Sequence, residues 1–151
     1  MNNKEIVDKL REDEHYYGKF GQQYLSNSNI STLLSEPENL YTPVEKTAAM
    51  LIGGYFHTII LEPEKVKSFK IVESSTRNTK HYKEISDGEM CLLQHEADMV
   101  EAMTDKLLKN KFIESLITGS NMIYEEPAVG KIFNFNWKAK ADIINYDERL
   151  V

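Results

Sequence analysis

With 151 residues the chain has the length of one domain, so we expect a single hydrophobic core. Its composition, 41% hydrophobic and 28% charged with seven Gly and four Pro, excludes a disordered, collagen-like or low-complexity chain. The 18 basic and 24 acidic residues give a net charge of −6, which argues against a protein that binds nucleic acid over its whole surface. A local basic patch is compatible with this charge.

The cysteine content and the first residues indicate the compartment. Cys91 is the only cysteine, so no internal disulfide can form, and the opening MNNKE has no apolar run typical of a signal peptide. The most apolar stretch, residues 48–61, is interrupted by two glycines, a histidine and a threonine and is too short to cross a bilayer. We therefore expect a soluble protein in the reducing cytoplasm.

The first half of the chain predicts helices. Residues 1–23 are polar, with an acidic run at 12–14, and predict a short helix or an arm to which we assign no chemistry; the domain itself is expected over residues 24–151. Ser28 or Asn29 is placed to cap a short helix that runs through Leu34 and stops before Pro37.

Residues 45–61 predict a buried helix, because they are apolar nearly all the way round and end at Glu62-Pro63. Gly53 and Gly54 inside it cost roughly 1 kcal/mol each relative to alanine, which we interpret as room for the close approach of another backbone. Residues 69–72 predict a short strand, and residues 73–83 predict a loop.

The longest helix is predicted after Ser86, which forms a capping-box pattern with Glu89. Apolar residues then recur every three or four positions, at Met90, Leu93, Ala97, Val100, Met103 and Leu107.

After Gly119 the pattern changes to short extended runs, which predict three strands in an antiparallel meander over 122–125, 131–137 and 138–144. Pro127 and Gly130 are placed in the first turn, and Asp147-Glu148 in a second turn before another strand at 149–151. Since an unfinished apolar strand is an aggregation hazard, we expect this chain to be the front part of a longer protein. The predicted fold class is α+β, a helical amino-terminal half packed on the meander.

Two residues are candidates for chemistry on residue type alone. Asp142 lies in a strand whose neighbours suggest burial, and a buried carboxylate needs a metal or a cation; the alternative is a surface aspartate on an edge strand. His57 lies in the apolar helix, where the alternative to a functional role is a core histidine hydrogen-bonded to a backbone carbonyl.

Further charged residues lie nearby in the pattern. Strand alternation sends either Glu125 or Glu126 inward, where it would join Asp142 around a cation, although such pairs often flank a turn in solvent. Lys138 and Lys140 share the strand face of Asp142, so they would either hold a phosphate beside a metal or form a solvated stripe.

A local basic segment is the natural candidate for contact with a phosphate backbone. Between positions 65 and 83 it has one acidic residue and six basic residues: Lys65, Lys67, Lys70, Arg77, Lys80 and Lys83. The sequence has no glycine-rich phosphate loop, nucleophile elbow, Cys-x-x-Cys pair or His-Glu-x-x-His motif. P-loop nucleotide hydrolysis, serine-hydrolase chemistry and a structural zinc site therefore lose their usual support.

Four pieces in order resemble the exonuclease VIII (RecE-type) nuclease domain, a family of PD-(D/E)XK nucleases common in phages and prophages. They are YLSNSNI at 24–30, GGYFHTIILEPE at 53–64, Arg77, and KAKADII at 138–144. The most specific element is the Gly-x-x-x-His-x-x-x-Leu-Glu-Pro-Glu helix, followed some eighty residues later by the strand with Asp142.

The resemblance implies a Mg²⁺- or Mn²⁺-dependent exonuclease that degrades one strand of duplex DNA from an end, 5′→3′, for phage recombination. His57 would correspond to the family's active-site histidine and Asp142 to its first metal-binding aspartate, with a weaker role for Glu125 or Glu126. The partners implied are double-stranded DNA ends and a phage single-strand annealing protein. Family members form rings, so a homo-oligomer is implied, in the cytoplasm of a bacterial host.

The family places a second acidic ligand and a lysine, as Asp-x-Lys, on the strand directly after the one with the aspartate. The sequence stops at Val151, where that motif should begin, so we expect the 151-residue polypeptide to lack nuclease activity. Two competing interpretations are a non-enzymatic DNA- or protein-binding module on a degenerate nuclease scaffold, and a helical interaction protein in which His57 is core. Convergence of His57 and Asp142 would favour the nuclease.

Overall fold

A computed structural model describes residues 1–151 as a mixed α+β fold, which confirms the predicted fold class. The helices are α1 (Asn3–Leu10), α2 (Asp13–Tyr17), α3 (Asn27–Ser35), α4 (Ala48–Leu61), α5 (Lys80–Ser86), α6 (Gln94–Leu108) and α7 (Lys111–Ile117). The strands are β1 (Ile71–Val72), β2 (Leu92–Leu93), β3 (Met122–Ile132) and β4 (Phe135–Asn145). Judged by length and hydropathy, none of the helices qualifies as a membrane span.

The chain divides into two compact units. The terminal unit contains Met1–Val44 and Asn121–Val151, and the central unit contains Glu45–Ser120. The division of the chain at residue 23 into an arm and a domain remains a prediction.

The terminal unit is built on a hairpin of two long antiparallel strands, β3 and β4, so the predicted three-stranded meander is wrong. The turn is formed by Phe133 and Asn134, both with positive φ (48° and 68°), as a two-residue hairpin turn requires. Pro127 and Gly130, which were expected in a turn, lie inside β3. Proline is tolerated there because β3 pairs with a strand on one side only.

The second predicted turn is present at the end of β4. The backbone N–H groups of Asp147 and Glu148 donate to the side-chain oxygen of Asn145 at 3.1 and 3.0 Å. Leu150 then forms an isolated antiparallel bridge with Asn145.

The amino-terminal helices of the terminal unit are capped by their own side chains. Asn2 and Glu5 form a capping box at the start of α1, each accepting the other's backbone N–H at 2.9 Å. Helix α1 packs on β3, and its Leu10 is fully buried. Helix α3 starts after Ser26, two residues before the predicted cap, because Asn29 reaches back to the Ser26 N–H at 2.9 Å.

A buried lysine occupies the interior of the terminal unit. Lys138 is 9% exposed, its ammonium donates to the Tyr16 carbonyl oxygen, and it lies 4.3 Å from the centre of the Tyr16 ring. Gly21 closes over this contact. A Cβ at position 21 would stand 1.9 Å from the Tyr16 oxygen and 2.7 Å from Lys138 Nζ, so only glycine fits.

The central unit is built around α4 and α6. Helix α4 ends before Pro63, as predicted, but it starts after the Thr47 cap and not at residue 45. It buries Tyr55, Thr58 and Leu61. Tyr55 packs in a core cluster with Ala97 and Val100 of α6. Helix α4 is therefore amphipathic in its packing and not buried all round.

The opposite face of α4 is open at its two glycines. A Cβ added at Gly53 or Gly54 would meet nothing within 4 Å, so the predicted close approach of another backbone is wrong.

The remaining elements of the central unit differ from the expectation at their boundaries. Helix α6 starts at Gln94 and not after Ser86, because Leu92 and Leu93 pair in parallel with β1. Residues 80–83, expected in a loop, are helical, since the Thr79 hydroxyl accepts the Tyr82 N–H at 3.1 Å and starts α5. Of the apolar stripe predicted for α6, Leu93, Ala97 and Val100 are buried, whereas Met90 and Met103 are exposed.

A partly buried ion pair holds the start of α6. Glu96 receives hydrogen bonds from both terminal nitrogens of Arg77, at 2.8 and 2.5 Å, and from the Leu93 N–H at 2.9 Å. Burial raises the pKa of Glu96, but the Arg77 and Leu93 hydrogen bonds and the Arg77 charge outweigh it, so the net pKa is below its usual value.

Alanine is expected to have opposite effects on stability at Gly21, where the site is crowded, and at Gly54, where it is open. Gly21→Ala is expected to lower the free energy of unfolding by about 1–3 kcal/mol, because the methyl group overlaps the Tyr16 carbonyl. Gly54→Ala is expected to raise it by up to about 1 kcal/mol, because its site is open and helical. Urea denaturation measures both, and equal effects would contradict the packing described.

Loss of the Glu96 charge is expected to destabilise the fold in a pH-dependent manner. Glu96→Gln should lower the free energy of unfolding by about 2–3 kcal/mol at pH 7. Because the folded pKa lies below the unfolded value, this difference from wild type is complete above pH 4.5 and disappears as the pH falls through the folded pKa.

The matched control is Glu84→Gln, since Glu84 forms an exposed pair with Lys80 at 3.7 Å and such pairs contribute little. Denaturant unfolding at pH 7 and pH 3 distinguishes the two variants. A pH-independent Glu96→Gln effect would contradict the assignment.

Candidate metal centre

The hairpin places two carboxylates opposite each other. Its register pairs Tyr124 with Ile143 and Glu126 with Ala141, which leaves Glu125 facing Asp142 between these pairs. Glu125 has φ of +51° inside β3, a conformation that is rare for a residue with a side chain and that costs roughly 1–3 kcal/mol. Like charges directly opposite each other also destabilise a strand pair, so this position calls for a cation.

Lys140 supplies one cation to this position. Its Nζ lies 3.4 Å from Glu125 Oε2 and donates a 2.9 Å hydrogen bond to Asp13 Oδ1, and its side chain is only 10% exposed. Burial lowers the pKa of Lys140. The hydrogen bond to Asp13 and the negative charges of Asp13 and Glu125 raise it by a larger amount, so the net pKa is above the usual value. Lys140 is therefore a positively charged neighbour of Glu125.

The structure shows which of the two adjacent glutamates, Glu125 or Glu126, faces Asp142. Glu126 accepts two hydrogen bonds from Arg11, at 2.5 and 2.8 Å. These contacts and the negative charge of Glu126 raise the pKa of Arg11 despite its partial burial. Glu126 is thus occupied by the α1 end of the chain, and Glu125 is the one that faces Asp142.

Glu125 and Asp142 bring two potential ligands together within the terminal unit. A carboxylate oxygen of each lies within 4.8 Å of one on the other. Mg²⁺ holds its ligands at about 2.1 Å, so donors on opposite sides of the ion are roughly 4 Å apart. The observed spacing therefore fits a single ion after small side-chain rotations.

The donor set also fits a hard divalent ion. Two carboxylates suit Mg²⁺ and Mn²⁺. Glu125 is partly buried and Asp142 is exposed, so of the two alternatives for Asp142 the structure favours the surface position. His57 lies on α4 of the central unit and is partly buried. The exposure leaves that side of the group open to a ligand from solvent.

The basic residues do not form one free cationic surface. Arg77 is engaged by Glu96, Lys65 contacts Glu62, and Lys80 lies 3.7 Å from Glu84. Lys67, Lys70 and Lys83 are exposed.

Lys138 is placed unlike an exposed DNA-binding lysine. Burial, and then the charge of Lys140, lower its pKa, and its ammonium points to the Tyr16 carbonyl. The geometry therefore does not favour the predicted DNA contact for Lys138.

Comparison with known families gives a match over most of the chain. The model of the PDDEXK-like domain of unknown function (DUF3799) matches residues 26–151. The chain belongs to this family. Comparison with curated proteins gave no match.

A crystal structure shares the fold of this PDDEXK-like domain. It is that of a candidate exonuclease from Eubacterium rectale, with a TM-score of 0.59 and 16% sequence identity. The alignment covers 87% of this chain and 48% of that one, so the chain spans about half the length of the structure it matches. At this identity the likeness concerns the fold.

Sequence reasoning missed two residues that lie around the candidate carboxylate site of the PDDEXK-like domain. Arg11 and Asp13 lie in the polar amino-terminal segment to which no chemistry was assigned, yet they contact Glu126 and Lys140. The acidic run at 12–14 was the only feature of this segment that indicated charged contacts, and it does not identify the lysine that Asp13 contacts. These pairs join positions more than 100 residues apart, so residue spacing could not have shown them.

A divalent ion is expected to stabilise the PDDEXK-like domain through Asp142. At a Mn²⁺ concentration 100 times its dissociation constant, the free energy of unfolding should rise by about 2.7 kcal/mol. Asp142→Asn should abolish most of this rise, as measured by scanning calorimetry with and without Mn²⁺.

Asp87→Asn is the matched control, because Asp87 is exposed with φ of +52°, a conformation that asparagine tolerates. It should keep the full Mn²⁺ effect. An unchanged Mn²⁺ effect in Asp142→Asn would show that the ion binds elsewhere.

Proposed function

We propose that this PDDEXK-like domain acts in a divalent-metal-dependent DNA exonuclease, in which Glu125 and Asp142 hold one ion. The observation that supports it best is the opposition of these two carboxylates across the hairpin, with ligand atoms within 4.8 Å of each other. His57 is the proposed active-site histidine on the basis of the resemblance to the exonuclease VIII domain. Membership of a PDDEXK-like family and the fold likeness to a candidate exonuclease agree with a nuclease-type function.

The chemistry follows from the residues of the group. When bound, Mg²⁺ or Mn²⁺ would polarise a scissile phosphate and lower the pKa of an attacking water. Asp142, which is exposed, and Glu125, which is partly buried, would hold the ion. Lys140 keeps a positive charge beside Glu125 and so limits the negative charge of the group.

The finer assignment rests on the resemblance to the exonuclease VIII (RecE-type) domain. We propose 5′→3′ degradation of one strand from double-stranded DNA ends, in phage recombination within a bacterial cytoplasm. A homo-oligomer and a single-strand annealing protein are the proposed protein partners. The exposed Lys67, Lys70 and Lys83 are the proposed phosphate contacts of the central unit, with Lys65 and Lys80 beside them.

The central test is metal-dependent digestion of linear duplex DNA compared with closed circular duplex DNA. The resemblance implies that digestion needs the family's Asp-x-Lys ligand and lysine. We therefore expect residues 1–151 to bind Mn²⁺ without digestion, and an extended protein that carries this motif to digest linear DNA only. Strands labelled at the 5′ or the 3′ end report the polarity.

Each control isolates one part of this proposal. Asp142→Asn in the extended protein should lose activity by at least about 100-fold, the scale expected when a catalytic ion loses a direct ligand, while Asp87→Asn should retain it. Digestion in excess EDTA, or full activity of Asp142→Asn, would overturn the metal assignment. Mn²⁺ binding with no digestion by the extended protein would instead favour a non-enzymatic DNA-binding module.

A further inference from the structure

The strand carrying Asp142 also carries a nearly buried lysine between two carboxylates. Lys140 Nζ is 2.9 Å from Asp13 Oδ1 and 3.4 Å from Glu125 Oε2. The first distance is that of a strong charge-assisted hydrogen bond, and the second is an ionic contact beyond ordinary hydrogen-bond length. Asp13 therefore holds the ammonium more tightly than Glu125 does.

Aromatic rings restrict where this ammonium can go. Nζ lies 4.6 Å from the centre of the Tyr16 ring and 5.6 Å from that of Tyr17. These rings belong to α2, the same helix that carries Asp13. With its side chain 10% exposed, the lysine has little access to water, so the two carboxylates are its main anionic partners.

The position of the ammonium decides how well Glu125 can bind an ion. A lysine that forms a full hydrogen bond with Glu125 would occupy a carboxylate lone pair and place a positive charge next to the divalent ion, and both effects weaken metal binding. A lysine held by Asp13 competes less with the ion for the Glu125 carboxylate.

We propose that Asp13 is a positioning residue of the metal centre, which acts by drawing the Lys140 ammonium away from Glu125. This rests on the proposed function, because it assumes that Glu125 binds the ion. It assigns a role to α2, in the amino-terminal segment, where the PDDEXK-like family match does not reach. The segment would then be part of the site and not an accessory arm.

The test is a double-mutant cycle read by Mn²⁺ affinity, measured by calorimetric titration of the full chain. Asp13→Asn should weaken Mn²⁺ binding on the order of 10-fold, the scale found for residues that orient metal ligands. Glu14→Gln, which neutralises a carboxylate on the same helix, should leave the affinity unchanged. Far-ultraviolet circular dichroism checks that each variant is folded.

The second arm removes the lysine charge. In a Lys140→Met background, Asp13→Asn should have no further effect on the Mn²⁺ affinity, because the competing ammonium is gone. Lys140→Arg should restore the sensitivity to Asp13→Asn, since the guanidinium again chooses between the two carboxylates. A merely structural role of Asp13 would give the same loss in all three backgrounds.

The outcomes separate this proposal from the metal assignment itself. If wild type binds no Mn²⁺, or Asp142→Asn binds it equally well, the proposed metal centre fails. If wild type binds through Asp142 but Asp13→Asn is neutral, or acts equally in the Lys140→Met background, the positioning role alone is overturned.

Discussion

The opposition of Glu125 and Asp142 across the hairpin is the constraint on which the candidate site depends. A regular antiparallel register would continue pairing through this position, but the left-handed backbone at Glu125 interrupts it. Both the strain and the like charges oppose folding, so the surrounding structure must compensate for them. Such local costs are typical of positions kept for binding or catalysis.

The compensation comes from the amino-terminal helices of the terminal unit. Arg11 forms hydrogen bonds with Glu126, so Glu126 does not replace Glu125 opposite Asp142. Asp13 and the tyrosines of α2 surround Lys140, which lies beside Glu125. Behind these contacts the buried Lys138 ties α2 to β4 through the Tyr16 carbonyl. The side chains around Glu125, the carboxylate that faces Asp142, therefore include residues from the opposite end of the sequence.

The central unit carries His57, the proposed active-site histidine, on a helix that is anchored in its own core. Helix α4 is anchored by Tyr55, whose hydroxyl donates a 2.8 Å hydrogen bond to Glu101 of α6. Burial and the Glu101 carboxylate raise the pKa of Tyr55 to about 12, so this donor stays protonated at physiological pH. His57, two residues further on, lies on the flank of the same anchored helix and is partly buried.

The sequence by itself determined which residues are candidates for chemistry and most of the local elements. The Glu62-Pro63 stop ends α4 because proline acts within a few residues, and the α+β class follows from a change of hydrophobic period after Gly119. His57 and Asp142 were identifiable as candidates because an imidazole or a carboxylate in an apolar pattern is unusual.

Only the tertiary structure decided which residues meet. Pairing of Leu92 and Leu93 with β1 moved the start of α6, and the Phe133-Asn134 turn merged three expected strands into two. The choice of Glu125 over Glu126, and the contacts of Arg11 and Asp13, depend on strand register and on pairs more than 100 residues apart. Local propensity carries no information about such long-range contacts, so they emerge only when the chain packs.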